Sequence, residues 1–191
     1  MTKKERTYVE DMDRGIYDIK NAFEYRYKTS KGLNEEIVRE ISEEKNEPKW
    51  MLDYRLKALE IFNNSKNPVW GPDLSDVNIE DITTYIRPKA DLSTSWEDLP
   101  EDIRNTFDKL GIPEAEKKQF LSGVGAQYDS EVVYHSIQKY LRDQGVIYTD
   151  FESGLREYPE IVKKYFGTCI KPELHRYAAL HYAVWSGGSF V

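Results

Sequence analysis

Four residues with metal-binding side chains lie close together near the C-terminal end of the chain. Cys169, Glu173, His175 and His181 fall within thirteen residues, and thiolate, imidazole and carboxylate groups are common ligands of zinc and iron. Their spacing matches no zinc-finger pattern. The alternative is that Cys169 is a small buried hydrophobic residue and that the two histidines occupy partly exposed turns. We favour this alternative, so the sequence predicts no metal ligands.

Signals for catalysis or cofactor binding are equally sparse. A nucleophilic Cys169, or a serine activated by His135, would need a base placed by the fold, and no local signature of such a site is present. Gly123-Val124-Gly125 lacks the third glycine of a dinucleotide-binding loop. Ser186-Gly187-Gly188-Ser189 could offer backbone amides to an anion, although a plain turn is the preferred interpretation. We therefore expect no catalytic residue, no cofactor-binding residue and no enzyme activity.

Length and composition limit the compartment and the partners. The chain has 191 residues, which is enough for a buried core, and its single cysteine cannot form an intramolecular disulfide. No run approaches the ~18 apolar residues of a membrane span, and the N-terminus lacks the apolar centre of a signal peptide. A net charge of −7 disfavours nucleic acid as a partner. We expect a cytoplasmic protein that binds neither nucleic acid nor membrane.

The negative charge is concentrated in the middle of the chain. Residues 68–135 hold 14 acidic and 6 basic side chains, whereas residues 1–67 hold 14 of each and residues 136–191 hold 6 and 7. Most stretches of this kind are solvated surface, and a docking patch for a basic partner is the less common interpretation. Aromatic residues make up 13% of the chain, which weakly favours an interaction surface.

The positions of apolar residues predict the elements that would hold these side chains. Asn34 is placed to cap a helix, and Pro48 suits the first position of the next one. Apolar stripes at helical spacing predict helices over 8–27, 35–46, 48–64, 100–110, 113–122, 137–143, 151–157 and 159–166.

Strand signals are short and scattered. They predict a possible strand over Ile82–Ile86 within a structured loop, a short buried strand over Val146–Thr149, and strand material around a glycine turn over 183–191. Residues 124–133 fit either a strand or the start of a helix. The resulting fold class is α+β, mostly α. We expect three segments: N-terminal helices over 1–67, a helical domain with a structured loop and short strands over 68–176, and a separate C-terminal segment over 177–191. The last strand has no evident partner, which favours a truncated chain.

Several blocks of the sequence, in order, resemble the N-terminal region of one family. From residue 32 to the end, the chain is similar to the SufB scaffold subunits (SufB/SufD family) of the SUF iron–sulfur cluster assembly system. The blocks are Ile41–Leu59 (ISEEKNEPKWMLDYRLKAL), Lys109–Glu116 (KLGIPEAE), Gly123–Tyr134 (GVGAQYDSEVVY), Tyr158–Gly167 (YPEIVKKYFG) and Ala178–Phe190, with AAL and AVWSGGSF.

The resemblance carries several implications. It implies a right-handed parallel β-helix that begins within residues 177–191 and continues past them. It also implies partnership with the ATPase SufC, the paralogue SufD and a sulfur-donor system, with an iron–sulfur cluster on the full-length protein. The family's ligand and sulfur-accepting cysteines would lie beyond Val191, so no role passes to Cys169. The expected role of this chain is then structural and partner-docking; the alternative is a stand-alone helical interaction module or regulator.

Overall fold

A computed structural model describes residues 25–93, 96–109 and 123–191. Helices dominate these residues and the strands are short, so the expected α+β, mostly α class is confirmed. The helices are α1 (Glu35–Glu44), α2 (Lys49–Asn64), α3 (Glu101–Lys109), α4 (Lys139–Asp143), α5 (Phe151–Glu157), α6 (Pro159–Tyr165) and α7 (Arg176–Val184). The strands are β1 (Tyr25–Lys28), β2 (Ile86–Pro88), β3 (Gly123–Tyr128), β4 (Glu131–Ile137), β5 (Thr149–Asp150) and β6 (Ser189–Phe190).

The strands of the described residues pair in three separate antiparallel ladders, β1 with β2, β3 with β4, and β5 with β6. The β3–β4 pair is a hairpin, with Asp129 in its turn at a φ of 52°. This resolves the open choice for residues 124–133 in favour of a strand. None of the three ladders builds a wide sheet, so helix packing and side-chain contacts must hold the elements together.

The main core lies where α1, α2 and α7 meet. Asn34 starts α1 as predicted, because its side chain accepts a hydrogen bond from the Ile37 amide at 3.0 Å. Small side chains on α7, Ala179 and Ala183, are fully buried and let that helix approach α2 closely. Residues near the end of the chain therefore pack on its first described helices. The buried members are Leu33, Ile37, Val38, Ile41, Ala58, Leu59, Phe62, Tyr85, Ala179, Tyr182 and Ala183.

Two smaller cores accompany the main one. The first lies between α3 and the β3–β4 hairpin and contains Leu99, Ile103, Val133 and Tyr134. The second joins α2 to α5, α6 and the segment after α7, and contains Met51, Leu155, Val162 and Trp185. The predicted helices over 35–46, 48–64, 100–110, 151–157 and 159–166 are confirmed in the described residues, with ends shifted by one or two residues.

The prediction for the C-terminal residues was wrong in part. Ala183 and Val184 end helix α7 instead of starting a strand, because Ala183 continues the buried face that Ala179 begins. Within this stretch only Ser189–Phe190 forms a strand, and it pairs with β5 through Thr149↔Phe190 and Asp150↔Ser189. The strand that lacked an evident partner in the sequence therefore has one.

The other predicted strands were displaced. The strand expected over Ile82–Ile86 is regular only at Ile86–Pro88, where it pairs with β1, although Thr83 forms a single antiparallel bridge with Lys31. The strand expected over Val146–Thr149 begins only at Thr149, and Val146 is exposed, since Gly145 turns the chain at a φ of 84°. In each case the partner strand sets the position, which a local pattern does not contain.

Two helix predictions change at their ends, and one lies outside the described residues. The helix expected over 8–27 is wrong at its end, because Tyr25–Lys28 pairs with β2 as a strand; its remainder lies outside the described residues. The helix over 137–143 begins at Lys139, because Ile137 still belongs to β4. The helix over 113–122 lies outside the described residues. No helix in the described part of the chain is long and apolar enough to cross a membrane.

Candidate functional site: a buried ion network and a charged cavity

Lys45 lies at the centre of a buried ion network. It follows α1 directly, and its side chain is only 2% exposed. Its Nζ lies 2.6 Å from Oε1 of Glu152 on α5 and 3.1 Å from Oε1 of Glu131 on β4. One cation thus joins three elements that are far apart in the chain. Charge-assisted bonds of this length are among the stronger polar contacts in proteins.

Both carboxylates of this network accept a further hydrogen bond. The Tyr85 hydroxyl donates to Glu131 Oε1 at 2.5 Å, and the Gly187 amide donates to Glu152 Oε1 at 2.8 Å. Burial and the bond to Glu131 raise the pKa of Tyr85 well above its ordinary value, which keeps the hydroxyl protonated as a donor. Lys45 Nζ also lies 5.4 Å from the centre of the Tyr85 ring.

A second buried ion pair lies beneath the end of α7. Arg55 on α2 donates through Nε and Nη2 to the two carboxylate oxygens of Glu47, both at 2.7 Å. Its Nη1 and Nη2 also donate to the carbonyls of Ala183 at 3.1 Å and Trp185 at 2.9 Å. The guanidinium carbon stands 4.5 Å from the centre of a Trp185 ring. Arg55 therefore fixes the end of α7 and the chain that leaves it.

A cavity of about 160 Å³ opens beside Lys45. The charged side chains that line it already form ion pairs within the protein: Arg87 lies 3.5 Å from Glu44, and Asp91 lies 2.8 Å from Arg26. Asp150 accepts a bond from the Ser153 amide at 2.8 Å and so caps α5. Arg156 donates to the Ser153 hydroxyl at 3.0 Å. The cavity is therefore lined by charges of both signs that already have partners.

The polar groups of this network bond to one another and hold the fold together. Lysine, tyrosine and two carboxylates could exchange protons in principle, but each polar atom named above is bonded to another group of the protein. Breaking a buried ion pair by removing one partner costs about 3–5 kcal/mol, because a charge remains without a partner. The network therefore locks α1, the β3–β4 hairpin, α5 and the segment after α7 into one arrangement. The Ser186 hydroxyl adds a bond to the Ser130 carbonyl in the hairpin turn.

The structure does not bring the four potential metal ligands of the C-terminal region into a site. Among the described residues, no group of three or more His, Cys, Asp or Glu side chains is arranged to hold a metal ion. Cys169 is exposed, so its interpretation as a buried residue was wrong; it follows Gly167 in the connection after α6, outside the core. Glu173 is exposed on the short 3-10 turn before α7.

His175 and His181 both belong to helix α7, one as its N-cap and one within it. His175 caps α7, because its Nδ1 accepts a hydrogen bond from the Ala178 amide at 3.1 Å. His181 lies within α7, not on a turn as expected, because the helix continues to Val184. Desolvation and the nearby charge of Arg55 lower the pKa of His181 below its ordinary value.

The glycine motifs also serve the fold. Gly123-Val124-Gly125 lies inside β3, where Gly125 pairs with His135 of β4, so it forms no strand–helix loop. In Ser186-Gly187-Gly188-Ser189, both glycines have positive φ, at 70° and 113°. The Gly187 amide does bind a negative charge, but that charge is the internal carboxylate of Glu152.

Sequence reasoning missed both ion networks. One signal was available for Arg55, which stands on the apolar stripe of α2 between Met51 and Leu59 and is fully buried there. A long cation on an apolar stripe indicates a buried partner, since an unpaired charge is too costly. Lys45, Glu131 and Glu152 carried no such signal, because they come from segments that meet only in the fold.

No profile of a known protein family matches the chain. Comparison with curated proteins found close relatives over most of its length. An iron–sulfur cluster assembly SufBD family protein of Staphylococcus aureus (strain USA300) is 53% identical over 165 residues, which cover 86% of this chain and 35% of the relative. A protein of the same description in Staphylococcus haemolyticus (strain JCSC1435) gives the same identity and coverage. The chain thus spans about a third of the length of these relatives.

Proposed function

We propose that the chain belongs to the SufBD family and serves iron–sulfur cluster assembly. The observation that carries this proposal is the 53% identity over 165 residues to proteins named for that process. The identity spans most of the chain, so it includes the helices and not one short motif.

Within that family, we assign the chain to a SufB-type scaffold as a helical domain with a structural and docking role. Support comes from the residues that build the ion networks. Lys45, Glu47 and Arg55 lie within the first block that resembles SufB, and Glu131 and Gly187 lie within two others. The resemblance therefore covers five residues of the two networks, whereas Tyr85 and Glu152 lie outside the blocks.

The chemistry of cluster assembly is proposed to lie outside these residues. The nascent iron–sulfur cluster is cargo of the full-length protein, and this chain is expected neither to bind it nor to catalyse a reaction. The proposed partners are a SufC-type ATPase, a SufD-type paralogue and a sulfur donor, acting in the cytoplasm. The domain would shape their access to the scaffold.

Complementation tests the assembly role. The full reading frame that contains this chain is expressed, with its companion SUF genes, in a bacterium that lacks its own assembly systems. We expect restored aconitase activity, and loss of that activity when the segment encoding residues 25–191 is deleted. Equal aconitase activity with and without that segment would overturn the proposed role of the domain.

Anaerobic reconstitution tests where the cluster binds. The 191-residue chain and the full-length protein receive iron and sulfide side by side, and visible charge-transfer absorption is recorded. We expect the absorption only from the full-length protein. A cluster spectrum from the short chain, abolished by Cys169→Ala, would contradict the proposed division of roles.

A further inference from the structure

The segment from Asn67 to Ile82, which connects α2 to the strand at β2, exposes several large apolar side chains. Val69 is fully exposed, Trp70 is 63% exposed, Val77 52% and Ile82 40%. Isolated exposed apolar residues are ordinary, but four within one connection, one of them a tryptophan, are not. This set of residues, 67–82, is called the tryptophan loop below.

The tryptophan loop is held in place. Within the loop, the Ser75 amide donates a hydrogen bond to the Asp73 carboxylate at 3.0 Å, and the Asn78 side-chain amide donates one to the Asp81 carboxylate at 2.9 Å. The Trp70 ring meets the His175 ring edge-on at 5.2 Å, which ties the loop to the start of α7. The exposed apolar groups are therefore presented by an ordered surface, so little conformational entropy would be lost on binding.

A groove lies beside Trp70. It has a volume of about 430 Å³ and is lined by residues 67–75 and by Tyr177 of α7. Tryptophan and tyrosine at the edge of a groove are the residue types that contribute most to protein–protein affinity. The groove can receive one or two apolar side chains from a partner.

The charge of the tryptophan loop has one sign. It contains Asp73, Asp76, Glu80 and Asp81 and has no lysine or arginine. Asp76 is exposed, as are Glu80 and Asp81. The nearest cation on α7, Arg176, is turned inward: it donates to the Ser65 carbonyl at 2.9 Å and lies 4.2 Å from the Phe62 ring. The charged side chains of the loop itself are thus acidic, and one exposed cation, Lys66, directly precedes it in the chain.

We propose that the tryptophan loop docks a basic segment of a partner protein, whose apolar side chains enter the groove while its lysines or arginines face the acidic residues. The acidic side chains of the loop favour a basic partner over the other candidates. A second copy of this chain that docked through the same loop would place acid against acid. Nucleic acid would meet the same repulsion. This inference stands on the loop itself and does not require the proposed function.

Binding of a defined probe tests the inference. The probe is a short fluorescent peptide of lysines and leucines with the leucines at helical spacing, titrated into the full-length protein and followed by anisotropy. We expect saturable binding that weakens with salt, and no binding of a matched peptide with glutamate in place of lysine. Equal binding of both peptides would overturn the proposal.

Two variants and a control locate the surface. Trp70→Ala should weaken binding about tenfold or more, as expected for a central aromatic contact. Asp76→Asn should weaken it less and reduce its salt dependence. Tyr165→Ala, which removes an exposed aromatic side chain on α6 that is 60% exposed, is the control and should leave the affinity unchanged.

Each contrary outcome is decisive. Equal loss in all three variants, or none in Trp70→Ala, would overturn the location. Concentration-dependent dimerisation that Trp70→Ala abolishes, measured by analytical ultracentrifugation, would assign the groove to a second copy and reject the basic partner. Since Trp70 and Asp76 are both exposed, matching unfolding midpoints are expected and verify that each variant is folded.

Discussion

Glu47 and Arg55 face each other in a two-point ion pair from which water is excluded. Both N···O distances are 2.7 Å, and the side chains are 1% and 0% exposed. The same guanidinium holds the carbonyls of Ala183 and Trp185. Arg55 therefore links the start of α2 to the end of α7. Loss of Arg55, or of its counter-ion Glu47, should destabilise the packing of both.

Removal of the Glu47 carboxylate tests this link. Glu47→Leu leaves Arg55 charged and buried without its counter-ion, so we expect the free energy of unfolding to fall by about 3–5 kcal/mol. Urea denaturation followed by tryptophan fluorescence measures the change. Lys49→Ala is the matched control, because Lys49 makes an exposed ion pair with Asp53 and its side chain is 84% exposed. Similar unfolding midpoints for the two variants would contradict the prediction.

Lys45 should control the attachment of the β3–β4 hairpin. Lys45→Met leaves the Glu131 and Glu152 carboxylates without their shared cation, and we expect a loss of about 3–5 kcal/mol of stability. Hydrogen exchange read by mass spectrometry should show faster exchange in peptides from β4 and from residues 185–188 than elsewhere. Lys139→Met, at an ion pair with Asp143 where Lys139 is 86% exposed, serves as the control. Unchanged exchange in the hairpin would refute the assigned role.

Gly167 should tolerate substitution less well than Gly145. Both have a positive φ, at 70° and 84°, but a Cβ at Gly145 meets nothing within 4 Å, whereas one at Gly167 collides with the Tyr54 hydroxyl. Gly145→Ala should cost about 1–2 kcal/mol from backbone strain alone, and Gly167→Ala should cost more.

A double variant separates the two contributions at Gly167. Tyr54→Phe removes the hydroxyl that a new Cβ would meet, so Gly167→Ala should cost less in that background than in the native one. Thermal unfolding of the four proteins gives the comparison. Equal costs in the two backgrounds would show that the collision plays no part.

Stability should fall at alkaline pH. Burial raises the pKa of Tyr54 to about 12, and the hydrogen bond with Glu40 raises the pKa of Tyr27 to about 12, from 10.0 in each case. The unfolded chain then releases these protons before the folded one, so stability decreases as the pH rises from 10 towards 12. Urea midpoints across this range should decline less steeply in Tyr54→Phe than in the native protein. An unchanged slope would contradict the assignment of Tyr54.

The helices could be predicted because their signals are local. Asn34 caps α1 and Pro159 takes the first position of α6, and both signals act within the first turn of the helix. The two-residue strands β5 and β6 could not be placed, since their positions are set by each other and by no periodicity of their own.

The ion networks were beyond sequence reasoning for a related reason. Lys45 lies 86 positions from Glu131 and 107 from Glu152 along the chain. No spacing rule connects residues so far apart, and most charged residues are exposed. The fold had to be known before these three could be recognised as a group. Arg55 was the exception, because its place on an apolar stripe is visible in the sequence.

The contacts of Arg55 also constrain how the protein matures during synthesis. α1 and α2 leave the ribosome well before Ala183, Trp185 and Gly187 have been made. Until then, the guanidinium lacks two of its acceptors and Glu152 lacks the Gly187 amide. The early helices can form, but their final packing waits for residues 183–187. A nascent chain stalled before residue 183 would therefore leave the face of α2 that packs on α7 incompletely covered.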